Sequence, residues 1–199
     1  MIYKDDEIIH PWMAMTLPQM RLALHNPPWR EVLNFWFIPK EGKQISSLVR
    51  NRWFIQSGTE KQTKFDSEVT TKFSGLLAQA ETGSLDWWAE SPDGCLALII
   101  LLDQIARHIH RGHSDLIASN DVKAVKLSKS IILQKWDKQM RPVYVVFALM
   151  PLRHLPSKST MDMAFKGAKE VLAATESELV VSEKFFRNTE NSIKNFYKN

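Results

Sequence analysis

Residues 103–113, DQIARHIHRGH, carry the densest group of chemically capable side chains in this 199-residue sequence. Three of the six histidines, His108, His110 and His113, lie here with Asp103, Gln104, Arg107 and Arg111. Zinc takes histidines three or four apart on a helix, with Cys, Asp or Glu completing the set. His108 and His110 are two apart, so on a helix they point about 200° apart and cannot share one ion. His110 and His113 straddle Gly112, where the helix should stop. No Cys-x-x-Cys or His-Glu-x-x-His pattern accompanies them, so the spacing implies no metal and no cofactor.

Asp103, Arg107 and Arg111 fall at i, i+4 and i+8, one stripe about 12 Å long on a regular helix. The acid precedes the bases, which is the favourable orientation. Such a stripe has two readings. It closes a buried helix with an ion pair and with bases suited to the helix C-terminus. Alternatively it lines a cleft in which Arg107 and Arg111 clamp a carboxylate or phosphate. His154, in MPLRHLP, reads first as a partly buried, hydrogen-bonded structural residue. Oriented by Asp103 or Asp121 it would instead serve as a general base. The sequence has no glycine-rich phosphate loop, no Gly-x-Ser-x-Gly elbow and no Cys–His signature.

The elements that must position these groups are helical. Pro28 opens WREVLNFWF, which places Val32, Leu33, Trp36 and Phe37 on one side. Residues 59–82 carry Phe65, Val69, Phe73, Leu76, Leu77 and Ala80 at spacings of three and four, and Gly83 stops that helix. Ser84 is placed to cap a short helix through LDWWAE. Ser91 and Pro92 start a helix that runs to Gly112. From Cys95 to Leu102 every residue is apolar, so this helix has no polar face and should be buried all round. A further start lies near Ser119–Asp121. RPVYVVFAL is β-branched, but its helical neighbours make it a buried helix. Ser159 opens the next helix, and a last one covers 177–196.

The expected fold is therefore all-α, with seven or eight helices in one domain over 27–199 and an N-terminal extension over 1–26. Helix pairs every 30–40 residues suit a helical-repeat array. The net charge of +4, from 26 basic and 22 acidic residues, is too mild and scattered to mark a nucleic-acid binder. Cys95 sits in an apolar run and reads as a buried hydrophobe in a reducing compartment. The N-terminus lacks a signal-peptide core, and no apolar run approaches the length of a membrane span, so the expected location is the cytoplasm.

The segments VLNFWF, RWF, FDSEVTTKFSGLLAQAETGSLDWWAESPDGCLALIILLDQIARHIHRG and ALMPLRH resemble, in order and spacing, a mostly bacterial family of unknown function, domain of unknown function nine-two-four. The resemblance implies a tetratricopeptide-like α-α superhelix and carries no activity with it. The family pattern Leu-Asp-Gln-Phe-Pro-Arg-Asn-x-x-Arg-Gly matches Asp103, Gln104, Arg107, Arg111 and Gly112. None of the three clustered histidines falls on it. Asp121 matches an acid that opens the next helix, and His154 matches the histidine of a Pro-Leu-Glu-His pattern. The family's glutamate there is Arg153 in this chain. Its later histidine aligns with Thr189, and its closing Phe-Gly-Arg-Phe-Pro-His-Arg-Asn segment is largely missing.

Two main functions follow. The first is a non-catalytic helical-repeat protein that binds a protein, a peptide or a small anionic ligand in a concave polar cleft. Its site would be Asp103, Gln104, Arg107, Arg111, Asp121 and His154. The alternative is a hydrolase or transferase for an anionic substrate, with His154 as general base and Arg107 and Arg111 as clamps. A third role, assembly through exposed Trp87 and Trp88, rests on their place in a short tryptophan-rich segment.

Overall fold

The apolar run after Ser91–Pro92 forms the central helix of the structure, which every neighbouring element covers. The structure is a computed structural model describing residues 27–38, 52–173 and 179–196; the expected extension over 1–26 lies outside them. Among the described residues there are seven helices and no strand. They are α1 (Arg30–Phe37), α2 (Glu60–Thr82), α3, α4 (Ser114–Leu133), α5 (Pro142–Leu149), α6 (Lys158–Ala173) and α7 (Leu179–Phe196). Helix α3 consists of Pro92–Ile99, a π-helical stretch Ile100–Ile105 and Ala106–Ile109, which follow one another without a break. A 3-10 turn, Met150–Arg153, extends α5 and delivers His154.

Local chemistry explains most boundaries. The Thr59 side chain accepts a hydrogen bond from the Gln62 amide to start α2, and Gly83 ends it at φ 85°. Ser91 accepts from the Gly94 amide with Pro92 in the first turn, as the sequence implies. Three expectations need correction. Ser84 does not cap the 86–90 turn; that 3-10 segment starts after Leu85 without a side-chain cap, and Ser84 Oγ instead meets Thr82 Oγ1. Helix α4 begins at Ser114, so Asp121 stands inside the helix and is free to bond elsewhere. Helix α6 starts from Ser157, whose hydroxyl receives the Thr160 amide while Thr160 Oγ1 receives the Ser157 amide.

Packing then follows from the apolar faces. Residues 95–102 are all buried, and α3 packs on α1, α2, α4 and α5. Each such aliphatic side chain contributes about 1.5–3 kcal/mol by leaving water. Helix α1 docks on α5 through aromatic contacts, with Trp36 and Phe37 at 5.9 and 5.3 Å from Phe147. Helices α5, α6 and α7 pack together as successive neighbours, an order compatible with a tetratricopeptide-like superhelix. Trp88 is fully buried and Trp87 is half-buried against Trp29, because the 3-10 turn folds both rings inward. That removes the exposed tryptophan surface expected for assembly. Cys95 is buried, and desolvation pushes its thiol up to about 12, so it is unreactive near neutral pH.

Two glycines test the packing. A Cβ on Gly94 would collide with the Trp88 carbonyl, which is backbone and cannot rotate away, whereas one on Gly75 would meet nothing within 4 Å. Gly94→Ala should cost about 1–3 kcal/mol in urea unfolding. Gly75→Ala should stabilise by about 0.5–1 kcal/mol, through lower backbone entropy of the unfolded chain.

Candidate functional site

Asp103 lies in the π-helical stretch of α3 and has no solvent exposure at all. A carboxylate there must find donors within the protein. Oδ2 accepts from Gln104 Nε2, and Oδ1 lies 2.6 Å from His154 Nδ1 and 3.4 Å from Arg107 Nη2. Burial pushes the Asp103 carboxyl up. His154 beside it, together with Arg107 and the Gln104 amide, outweighs burial and holds it below the usual carboxylate range.

Arg107 is the meeting point of three elements. Its Nη2 donates to Asp121 Oδ1 on α4 at 2.5 Å, lies 3.4 Å from Asp103 Oδ1 and sits 2.6 Å from His154 Nδ1 after α5. The two short contacts at Nδ1 favour different tautomers. Asp103 requires an Nδ1–H donor, whereas Arg107 would require a bare nitrogen. Arg107 already has Asp121 as an acceptor, while buried Asp103 cannot turn to water, so the Nδ1–H tautomer satisfies more of the cluster. That leaves Nε2 as an acceptor. No described residue bonds it, and 27% of the imidazole side chain is exposed.

Ligand atoms of Asp103, Asp121 and His154 lie within 4.8 Å of one another, a set that could hold a metal ion. Arg107 Nη2 stands among them, at 3.4, 2.5 and 2.6 Å. The guanidinium therefore fills the cation position, and a metal would have to displace it. None of the clustered histidines, to which the sequence pattern draws attention, belongs to this trio.

The rest of the stripe goes elsewhere. Helix α3 ends at Ile109, and Gly112 turns the chain at φ 89°, so Arg111 lies beyond the last helical turn. Its guanidinium grips Asp66 of α2 through Nε at 2.7 Å and Nη2 at 3.1 Å. His108 Nδ1 meets the same carboxylate at 2.7 Å, and burial together with the nearby Arg111 charge lowers its pKa more than Asp66 raises it. His110 goes instead to Glu81, at 2.6 Å, where Asn120 also donates. His108 and His110 thus point to different acids, as a spacing of two requires. His113 is exposed at the start of α4.

Five of the six residues singled out from sequence, Asp103, Gln104, Arg107, Asp121 and His154, therefore meet in one cluster, and Arg111 belongs to another. Both arginines expected to clamp an anion are engaged by the chain's own carboxylates. Asp66 and Glu81 were missed, because each lies well over twenty positions from its partner and nothing in the local pattern pairs them. Arg153, which stands where the family pattern has glutamate, lies over the Phe185 ring at 5.9 Å. Thr189, at the position of the family's later histidine, is buried and donates to the Phe185 carbonyl.

An all-helical protein with a buried Asp–His pair bridged by arginine is the class that fold and site define. Residues 32–198 match the model of a family described as bacterial protein of unknown function (DUF924), and the chain belongs to that family. No curated protein matches the sequence. Among solved structures, the chain is similar to a protein of unknown function, ATU0120, from Agrobacterium tumefaciens, at 20% identity and a TM-score of 0.60. The likeness covers 81% of this chain and 82% of that one, and it establishes the shared fold.

Asp103 also sets a pH dependence. Its folded pKa lies below the unfolded value of about 3.9, so its stabilisation is present above that pH and is lost as pH falls through the lower folded value. Asp103→Asn should cost about 3–5 kcal/mol at pH 7 in urea unfolding, because it leaves buried partners unmatched. The variant should also lose less stability than the wild type on acidification from about pH 6 to pH 3.

Proposed function

We propose that the protein performs general acid–base chemistry at His154, as a hydrolase or transferase acting on a small substrate. The observation that carries this reading is the 2.6 Å contact between His154 Nδ1 and fully buried Asp103, which leaves Nε2 without a described partner. Asp103 fixes the tautomer and ring orientation. Nε2 then takes a proton from a substrate hydroxyl or water and returns it to a leaving group. Arg107 holds Asp103 ionised and ties α3 to α4 through Asp121, so it acts as a positioning residue. No helix of the described residues is long and apolar enough to cross a membrane.

A second reading, a non-catalytic helical-repeat protein that binds a peptide, protein or small ligand, is favoured by a different observation. Arg107 is already ion-paired to Asp103 and Asp121, and Arg111 to Asp66, as in a network that only locks helices together.

Nitrogen-15 spectroscopy of the imidazoles separates the two. The catalytic reading expects neutral His154 as the Nδ1–H tautomer, with Asp103→Asn shifting it towards Nε2–H. A bare Nδ1 facing Arg107 in the wild type would leave no basic Nε2 and would sink the catalytic reading. In a screen of carboxylic and phosphoric esters, His154→Ala should lower any turnover about 10²–10⁴-fold with the helical spectrum unchanged.

A further inference from the structure

The arginines around the site are not equivalent. Arg107 is held by Asp121 and Asp103, and Arg111 by Asp66. Arg153, the residue before His154, has no carboxylate within ion-pair distance among the described residues. It is half-buried, and its Nε is shielded from solvent without a hydrogen-bond partner. Its guanidinium lies over the Phe185 ring, 5.9 Å from the centroid. Burial lowers its pKa, and the only opposing influence is the charge of Asp103, whose hydrogen bonds go to His154, Gln104 and Arg107.

A guanidinium keeps its proton in any protein environment, so this positive charge persists. Holding it half out of water over a ring, with the Asp103 charge acting on it only from beyond ion-pair distance, costs free energy that a cation–π contact only partly offsets. Nη1 and Nη2 have no described partner either, yet only Nε is among the solvent-shielded unpartnered atoms. The two terminal nitrogens are therefore open donors in one plane, the geometry that takes a carboxylate or phosphate oxygen pair.

We propose that Arg153 is the anion-binding residue of this site and receives the phosphate or carboxylate group of a small ligand. The role expected of Arg107 and Arg111 passes to the one of these three guanidinia that has no carboxylate within ion-pair distance among the described residues. The binding half of this inference stands alone. Its extension, that the anion belongs to a substrate of His154, rests on the catalytic reading above.

The test titrates the full-length chain with inorganic phosphate, and separately with acetate, at constant ionic strength in chloride. Calorimetry and the chemical shifts of the His154 ring are the readouts. Saturable binding of at least one anion is expected, with the two arms showing whether phosphate or carboxylate is preferred. Arg153→Gln should weaken that binding at least tenfold and abolish the His154 shift change. Arg153→Lys should retain charge but lose paired donation and bind several-fold more weakly. Arg111→Gln should leave binding unchanged. Without anion, Arg153→Gln should melt no lower than the wild type, since it removes an uncompensated charge; if it fails to fold, the Lys variant decides. No saturable binding of either anion, binding that survives Arg153→Gln, or equal loss in Arg111→Gln would overturn the proposal. If phosphate binding persists while His154 proves to be the Nε2–H tautomer, the catalytic reading fails and the Arg153 site stands.

Discussion

The site depends on keeping one carboxylate charged where no water reaches it. Asp103 sits in the helix that every neighbour covers, and its ionised form survives through donors from three directions. Gln104 comes from the same helix, Arg107 from one turn on, and His154 from the turn after α5. Replacing a buried ion pair with well-packed apolar groups often stabilises a protein, so such a pair is weak evidence for stability as its purpose. What it supplies here is position. It sets which nitrogen of His154 carries the proton, and through Arg107 and Asp121 it fixes α4 against α3.

Charge matching separates framework from function around this centre. Asp66 with Arg111 and His108, and Glu81 with His110 and Asn120, join α2 to the end of α3 and the start of α4. These groups satisfy one another and face partners on fixed helices. By contrast, His154 Nε2 and the terminal nitrogens of Arg153, on residues adjacent in sequence, have no described partner. The family membership and the Agrobacterium tumefaciens structure establish the fold on which this arrangement sits. The chemistry is argued from this chain's own residues.

Much of the framework is legible in the sequence because it follows from local rules. The uninterrupted apolar run from Cys95 to Leu102 must be covered on all sides, the Ser91–Pro92 start makes it a helix, and Gly83 ends the preceding one through backbone chemistry that needs no tertiary partner. The Asp103–Arg107 contact is readable from the i,i+4 spacing, whereas its extension to Arg111 is not. A regular helix would continue the stripe, but α3 passes through a π-helical stretch and ends at Ile109, which frees Arg111 to turn to α2. Asp121 reads as a helix cap from its neighbours Ser119 and Asn120, and only the earlier start of α4 makes it an Arg107 ligand. The pairings of Asp66 and Glu81 are set by how helices pack, so no local pattern could reveal them. Trp87 and Trp88 look available in sequence, yet the 3-10 turn carries them into the core.

The ionisation of Asp103 underlies both the orientation of His154 and the field felt by Arg153. Carbon-13 spectroscopy of the Asp103 carboxyl, followed against pH in the folded chain, measures it directly. The account predicts a carboxylate signal that persists below the usual range for aspartate, down to the onset of acid unfolding. A carboxyl that takes up its proton at or above that range would contradict it, since a neutral Asp103 would neither hold Arg107 nor select the His154 tautomer.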